Sequence, residues 1–271
     1  MALSQIGADN YLPYMYRAFN LEPFHFKTSP FATSQLETKG LALSAENTRL
    51  VRTALSTFLI DGKLDGAEMT AHWFPEIKAD VFLSHSHKDR RLALMFAGWL
   101  STTFHVTPFV DSDVWGNSAD LLKEIDDALC LSPGGNSYSY EKRNESTSHV
   151  HMMLATALAK MIDNTECVIF INTPNSITPT EAVEKTYSPW IFYELAMVGQ
   201  TRRRPASDHR PIIKQTTFAE RRALEEVLIE YQVDLSLLTT IDADALNAWK
   251  RQFEETLPNF ALDTLYEIAQ E

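Results

Sequence analysis

The chain has 271 residues, 45% of them hydrophobic, enough to bury one large core or two modest ones, and one α/β domain with extensions is expected. A formal net charge of -12 and a pI near 5.1 exclude the phosphate-neutralising surface that general nucleic-acid binding needs. Two cysteines, Cys130 and Cys167, are too few for a disulfide framework. No run reaches the roughly 18 to 20 apolar residues of a membrane span, and the N-terminus lacks a secretory pattern, so a cytoplasmic protein is expected.

The first forty residues mix Pro13, Pro23 and Pro30 with aromatics such as Tyr11, Tyr14, Phe19 and Phe24. Disordered tails are poor in aromatics, so this stretch reads as an ordered but irregular arm. From Ser44 the spacing of Leu50, Val51, Ala54, Leu55 and Phe58 predicts a helix ending at the Asp61-Gly62 turn. Residues 1–75 read as an extension docked on the core, and residues 76–271 as the α/β domain.

From Ala79 the elements alternate. Residues 79–84 form an apolar strand, and Lys88 to Leu100 a helix with Leu92, Met95, Phe96, Trp99 and Leu100 on one face. Residues 105–111 read as the next strand, with Pro108 where a missing donor is tolerated. A loop, Ser112 to Asn117, precedes a helix from Ser118 to Cys130 whose core positions are Leu121, Leu122, Ile125 and Leu129. Strand, helix, strand, helix predicts a parallel sheet with right-handed crossovers.

Residues 131–147 read as a polar loop broken by Pro133-Gly134-Gly135, followed by a helix to Asp163 with Val150, Leu154, Leu158, Met161 and Ile162 inward. A loop of that length in a compact domain points to function. The strand Cys167 to Asn172 follows. The next helix opens at Ser188-Pro189 and carries Glu194 among the apolar residues Ile191, Leu195 and Val198. Beyond Arg202-Arg203-Arg204 the pattern predicts a strand at Pro211 to Lys214, a helix from Phe218 to Glu230, a strand near Gln232 to Leu238, and C-terminal helices.

Several catalytic templates are absent. There is no G-x-S-x-G elbow, no G-x-x-x-x-G-K-(S/T) loop and no G-x-G-x-x-G fingerprint. His85, His87 and Asp89 have the H-x-H-x-D spacing that resembles the opening of the metal site in metallo-β-lactamase-like hydrolases, and two imidazoles with a carboxylate at a strand end suit zinc. Arg90, a cation, stands where a further ligand is needed. His149 and His151, two apart on a helix, diverge by about 200°. The zinc hydrolase is therefore an alternative, not the first reading, and no metal ligand is assigned.

Asp80-Val-Phe-Leu-Ser-His-Ser-His-Lys-Asp89 resembles the first box of the Toll/interleukin-1 receptor (TIR) domain, D-x-F-(I/L)-S-(Y/H)-S-x-x-D. Ser188-Pro-Trp-Ile-Phe-Tyr-Glu-Leu195 is similar to that family's S-x-W-x-x-x-E-L box, and Pro108-Phe-Val-Asp111 to its second strand. The resemblance covers roughly residues 79 to 240. The loop after the second strand departs from the receptor pattern R-D-x-x-P-G, and residues 131–163 insert a long loop and a helix relative to the family. The resemblance implies a flavodoxin-like parallel sheet with helices on both faces. It also implies cleavage of NAD at the nicotinamide–ribose bond, with Glu194 in the catalytic position; NAD is the substrate, and no cofactor is required.

Nicotinamide in NAD is already a cationic leaving group, so one carboxylate stabilising an oxocarbenium-like transition state suffices. In an open α/β sheet the ligand lies beyond the strand carboxyl ends, which nominates Ser84, His85, Ser86 and Asp111 as substrate contacts, with Trp190 beside the carboxylate. Gly116 offers a backbone N–H to phosphate, and Trp115 is either a stacking surface for a base or a loop anchor. By analogy with bacterial antiviral TIR signalling, the expected partners are further copies of the chain on activation and a separate effector reading the nucleotide product. A non-enzymatic TIR scaffold is the alternative.

Overall fold

The computed structural model describes residues 17–24, 30–47, 55–60, 63–132, 134–135, 137–177, 185–201 and 231–269. The expected strand at Pro211 to Lys214, the helix from Phe218 to Glu230 and the Arg202-Arg203-Arg204 run lie outside them.

Five strands, β1 (Arg17–Leu21), β4 (Val81–Ser84), β5 (Pro108–Val110), β6 (Cys167–Ile171) and β9 (Thr239–Ile241), form one sheet in the order β5-β4-β6-β1-β9. Every pairing in it is parallel. β4 and β6 are buried along their whole length, which is why both read as unbroken apolar runs and not as alternating strands. Short antiparallel pairs, β2 (Leu59–Ile60) with β3 (Lys63–Leu64) and β7 (Lys185–Thr186) with β8 (Tyr231–Gln232), stand apart from this sheet. The architecture is α/β with helices on both faces, compatible with a flavodoxin-like arrangement.

On one face Phe82, Phe109, Val168, Phe170 and Ala18 meet α2 (Gly66–Trp73), α4 (Ser112–Ile125), α5 (Tyr140–Asn164) and α6 (Pro189–Gln200). On the other, Val81, Leu83, Phe19, Leu21 and Ile169 meet α3 (Arg90–Phe104), α7 (Ala243–Thr256) and α8 (Ala261–Ile268). Phe104 stacks on Trp249 at 3.7 Å between centroids, which fastens α7 to α3.

The N-terminal segment corrects the expected boundary at residue 75. β1 is an interior strand between β6 and β9, pairing Arg17 to Leu21 with Cys167 to Ile171. Five residues with Asn20 inside them carry too short a pattern to declare a strand, so only the sheet identifies it. Of the helix expected from Ser44, residues 48–54 and the Asp61-Gly62 turn lie outside the described residues; Ser44 falls near the end of α1 (Pro30–Asn47), and Leu55–Phe58 is a 3-10 turn.

α1 and α3 approach backbone to backbone. A Cβ at Gly40 would stand 1.9 Å from the Leu94 carbonyl oxygen, and one at Gly98 2.0 Å from that of Leu36. Neither neighbour is a flexible side-chain tip, so the helices must separate to admit a methyl group. Gly98→Ala is expected to lower stability by about 3 kcal/mol despite alanine's better helix propensity. Urea unfolding checks this; a gain in stability would show that α1 does not pack on α3 this closely.

Three further expectations shift. The residues expected as a loop at Ser112 to Asn117 are already helical, so α4 begins at Ser112, capped by Asp111. At its other end a π-helical segment, Asp126–Cys130, changes the phase of the side chains: Cys130 is buried, while Leu129, expected inside, is 52% exposed. The expected loop at 131–147 ends early, because α5 starts at Tyr140. Its first turns lack apolar periodicity. They are held by Arg143 Nε donating to Asp126 Oδ2 at 2.7 Å and Lys142 Nζ donating to the Leu129 carbonyl at 3.0 Å.

Candidate active site

Parallel pairing brings all the strand carboxyl ends to one edge. The chain leaves β4 outward to β5, then returns past β4 to β6, so connections diverge at the β4/β6 pair, where open α/β sheets hold their ligands. Ser84 ends β4 and is followed by His85 and Ser86; Asp111 directly follows β5.

α6 is fixed over this edge by ordinary means. Ser188 caps it by accepting from the Ile191 N–H at 3.3 Å, and Pro189 starts it where no amide donor is needed. Tyr193 donates its hydroxyl to the Ala155 carbonyl of α5 at 2.7 Å. Ile191, Leu195 and Val198 are buried, and Glu194 occupies the same stripe at core spacing. A carboxyl at a core position needs a partner, and Ser84 Oγ donates to Glu194 Oε2 at 2.7 Å. Oε1 has no hydrogen-bond partner among the described residues.

His85 and Asp111 complete a buried cluster. His85 Nδ1 lies 2.5 Å from Asp111 Oδ1, both side chains are 0% exposed, and the same oxygen accepts from the Ser112 N–H at 2.6 Å. Glu194 is 1% exposed. Burial pushes its carboxyl well above the ordinary glutamate range, and the neighbouring Asp111 charge adds to this; the Ser84 hydrogen bond and the His85 charge act in the opposite sense.

That shift has a consequence for stability. Above the ordinary glutamate value near 4.5 the unfolded chain has released the Glu194 proton while the folded chain keeps it, so stability falls as pH rises through this window. Glu194→Gln removes the effect. Its melting temperature is expected to exceed that of the wild type at neutral pH, with the gap closing as pH falls towards 4.5. Thermal melts between pH 4 and 9 check this, and parallel curves for the two proteins would contradict it.

The site is braced from one side. Asp89 accepts from Thr173 Oγ1 and, at 2.8 Å, from Asn175 Nδ2, so the turn after β4 grips the loop after β6.

Of the residues nominated from the sequence, Ser84, His85, Asp111 and Glu194 come together. His85 and Asp111 face each other in the interior, as buried as Glu194 and Ser84 in this conformation. Ser86 is buried at the adjacent turn. Trp190 is half-buried and meets His151 of α5 edge-on at 5.6 Å, so its ring is engaged with α5. Trp115 and Gly116 fall within α4 and not in a loop before it; their side chains lie outside the described residues. Gly116 therefore does not precede the helix N-terminus, and its expected place as a loop phosphate contact is lost.

The zinc alternative loses its ligand pair, since His85 is buried against Asp111 while His87 is exposed. Among the described residues no group of three His, Cys, Asp or Glu could hold a metal ion. Burial also pushes the Cys167 thiol well up, against a nucleophilic role.

Two residues escaped the sequence reading. Ser112 is buried beside Asp111, and its hydroxyl has no partner among the described residues. Asn20 pairs with Phe170, which pairs on its other side with Ser84, so all three share one row of the sheet. Its side-chain oxygen is likewise buried without a partner among the described residues. Ser112 sat in a stretch expected to be a loop, and Asn20 in an arm not recognised as a strand. Among the described residues no helix is long and apolar enough to cross a membrane. No family model matches the chain, and no curated protein or solved structure matches it.

Proposed function

We propose that the chain is a TIR-type enzyme that cleaves the nicotinamide–ribose bond of NAD. The observation that carries the reading is Glu194: a carboxyl at a core position of the W-x-x-x-E helix, joined to the end of β4 by Ser84, with one oxygen unclaimed among the described residues. Such a carboxyl ionises most readily opposite a cation, and the pyridinium ring of NAD and the ribosyl cation that follows it are both positive.

In the bond-breaking step the C1′–N electron pair passes to the pyridine nitrogen. Neutral nicotinamide departs, and positive charge is left on C1′ and the ring oxygen. The Glu194 carboxylate stabilises that charge. Water then adds at C1′ and loses a proton, giving ADP-ribose, nicotinamide and H⁺; a nucleophile within the same molecule in place of water gives a cyclic isomer, nicotinamide and H⁺. On this reading the product is a signal for a separate effector, and the setting is cytoplasmic.

The near-complete burial of Glu194 means that substrate reaches Oε1 only after the surrounding elements part. The resting protein is therefore expected to turn over slowly, and assembly of several copies is the proposed route to an open site. The same burial favours a second reading, a TIR scaffold that assembles without chemistry. Incubating purified protein with NAD, with and without extract of infected cells, and weighing the products by mass spectrometry separates the two. Nicotinamide and an ADP-ribose-type product support the enzyme; self-association with NAD intact under every condition supports the scaffold.

A further inference from the structure

We propose that Asp111, held by His85, is a positioning residue that acts through Glu194: the three buried side chains form one electrostatic unit in which Asp111 keeps the Glu194 proton in place and His85 opposes it. The argument is one of charge and geometry. Among the described side chains of this cluster, two carboxyls and one imidazole are enclosed where water does not screen them, and one imidazolium balances only one carboxylate. Asp111 has the better claim. It contacts His85 Nδ1 at 2.5 Å, takes the Ser112 N–H at 2.6 Å and sits at the N-terminus of α4, where the helix dipole favours an anion. Glu194 has the neutral Ser84 hydroxyl and Asp111 itself as hydrogen-bond partners, and two carboxyls share a hydrogen bond only when one keeps its proton, so the remaining proton belongs to Glu194.

The groups that face Glu194 act in the senses this requires. After β5, the Asp111 charge raises the affinity of Glu194 for its proton; after β4, the His85 charge lowers it. Tyr193, its neighbour on α6, is itself pushed up by burial and by Glu194, and so carries no charge near neutrality. On the NAD-cleaving reading, the device keeps Glu194 neutral in the empty site and releases its proton to solvent as the cationic nicotinamide ring arrives.

The test begins without NAD. Infrared spectra of the full chain, referenced to Glu194→Gln, isolate the protonated Glu194 carboxyl, and its band is followed against pH in wild type, Asp111→Asn and His85→Gln. Asp111→Asn is expected to move the titration to lower pH by about one unit or more and His85→Gln to higher pH by a similar amount. Opposite displacements are not what a loosened fold produces. A wild-type band that titrates in the ordinary carboxylate range, or variants that move it together or not at all, overturns the proposal. If Asp111→Asn does not fold, His85→Gln decides: an upward shift supports the unit, and no shift refutes it. NAD turnover on the same preparations is a separate arm. A wild type that never cleaves NAD defeats the enzyme reading while the infrared result still stands. In an active enzyme the pH at which kcat/KM rises should follow the infrared titration in each variant, and a limb that stays fixed while the band moves would cut the link to catalysis.

Discussion

Glu194→Gln is expected to release nicotinamide from NAD about 10²–10³-fold more slowly than the wild type, or worse, while folding normally. Glutamine keeps the shape of the side chain, and its amide oxygen can still accept from Ser84 Oγ, which lies 2.7 Å from the native carboxyl oxygen. What is lost is the negative charge facing C1′ as the N-glycosyl bond opens. A preorganised electrostatic group in a dry site contributes about 3–4 kcal/mol to the transition state, which sets the size of the loss. The measurement is nicotinamide release under conditions where the wild type is active, with circular dichroism and melting curves as controls. Because the substitution also removes a buried ionisable group, the inactive protein should be the more stable one near neutral pH. Release at the wild-type rate would end the assignment of Glu194, whatever the fold.

Deleting residues 1–24 is expected to abolish folding, not merely to trim an appendage. Among the described strands β1 is the only one that β9 pairs with, so its removal detaches β9 and leaves the side of β6 that it covers unpaired. Phe19 and Leu21 are 0% exposed and Phe24 7% exposed, and each contributes about 1.5–3 kcal/mol by burial. Their sum, before any lost ladder bonds, is comparable to the whole net stability of a domain, about 5–15 kcal/mol. Phe19 also stacks on Tyr266, and Arg17 Nη1 donates to the Tyr266 carbonyl at 3.1 Å, so α8 loses its anchor as well. A soluble, cooperatively melting truncated protein would show that the sheet closes without β1. The single substitution Phe19→Ala, expected to cost about 3–5 kcal/mol, tests the same placement in a chain that remains complete.

The strands and helices that carry strong local patterns were legible from the sequence. β4 and β6 are continuous apolar runs, α3 and the second half of α5 have clean core spacing, and α6 announces its start with Ser188-Pro189. The first half of α5 was not legible, because it is polar all round and depends on Asp126 and the Leu129 carbonyl, which only the π-helical end of α4 supplies. Leu129 was misplaced for the same reason: one wide turn rotates every later side chain, and no composition rule signals it.

The sequence by itself determined that a parallel α/β sheet would form and that Glu194 is a carboxyl set in an apolar stripe, since hydrophobic spacing and capping act over a few residues. Tertiary structure alone decided the rest. It inserted the N-terminal strand between β6 and β9, and it brought Ser84, His85 and Asp111 from two separate strand ends to the same carboxyl. The physical reason is that strand order and buried charge pairing depend on partners far apart in the chain, 110 residues for Ser84 and Glu194, and local pattern carries no record of them.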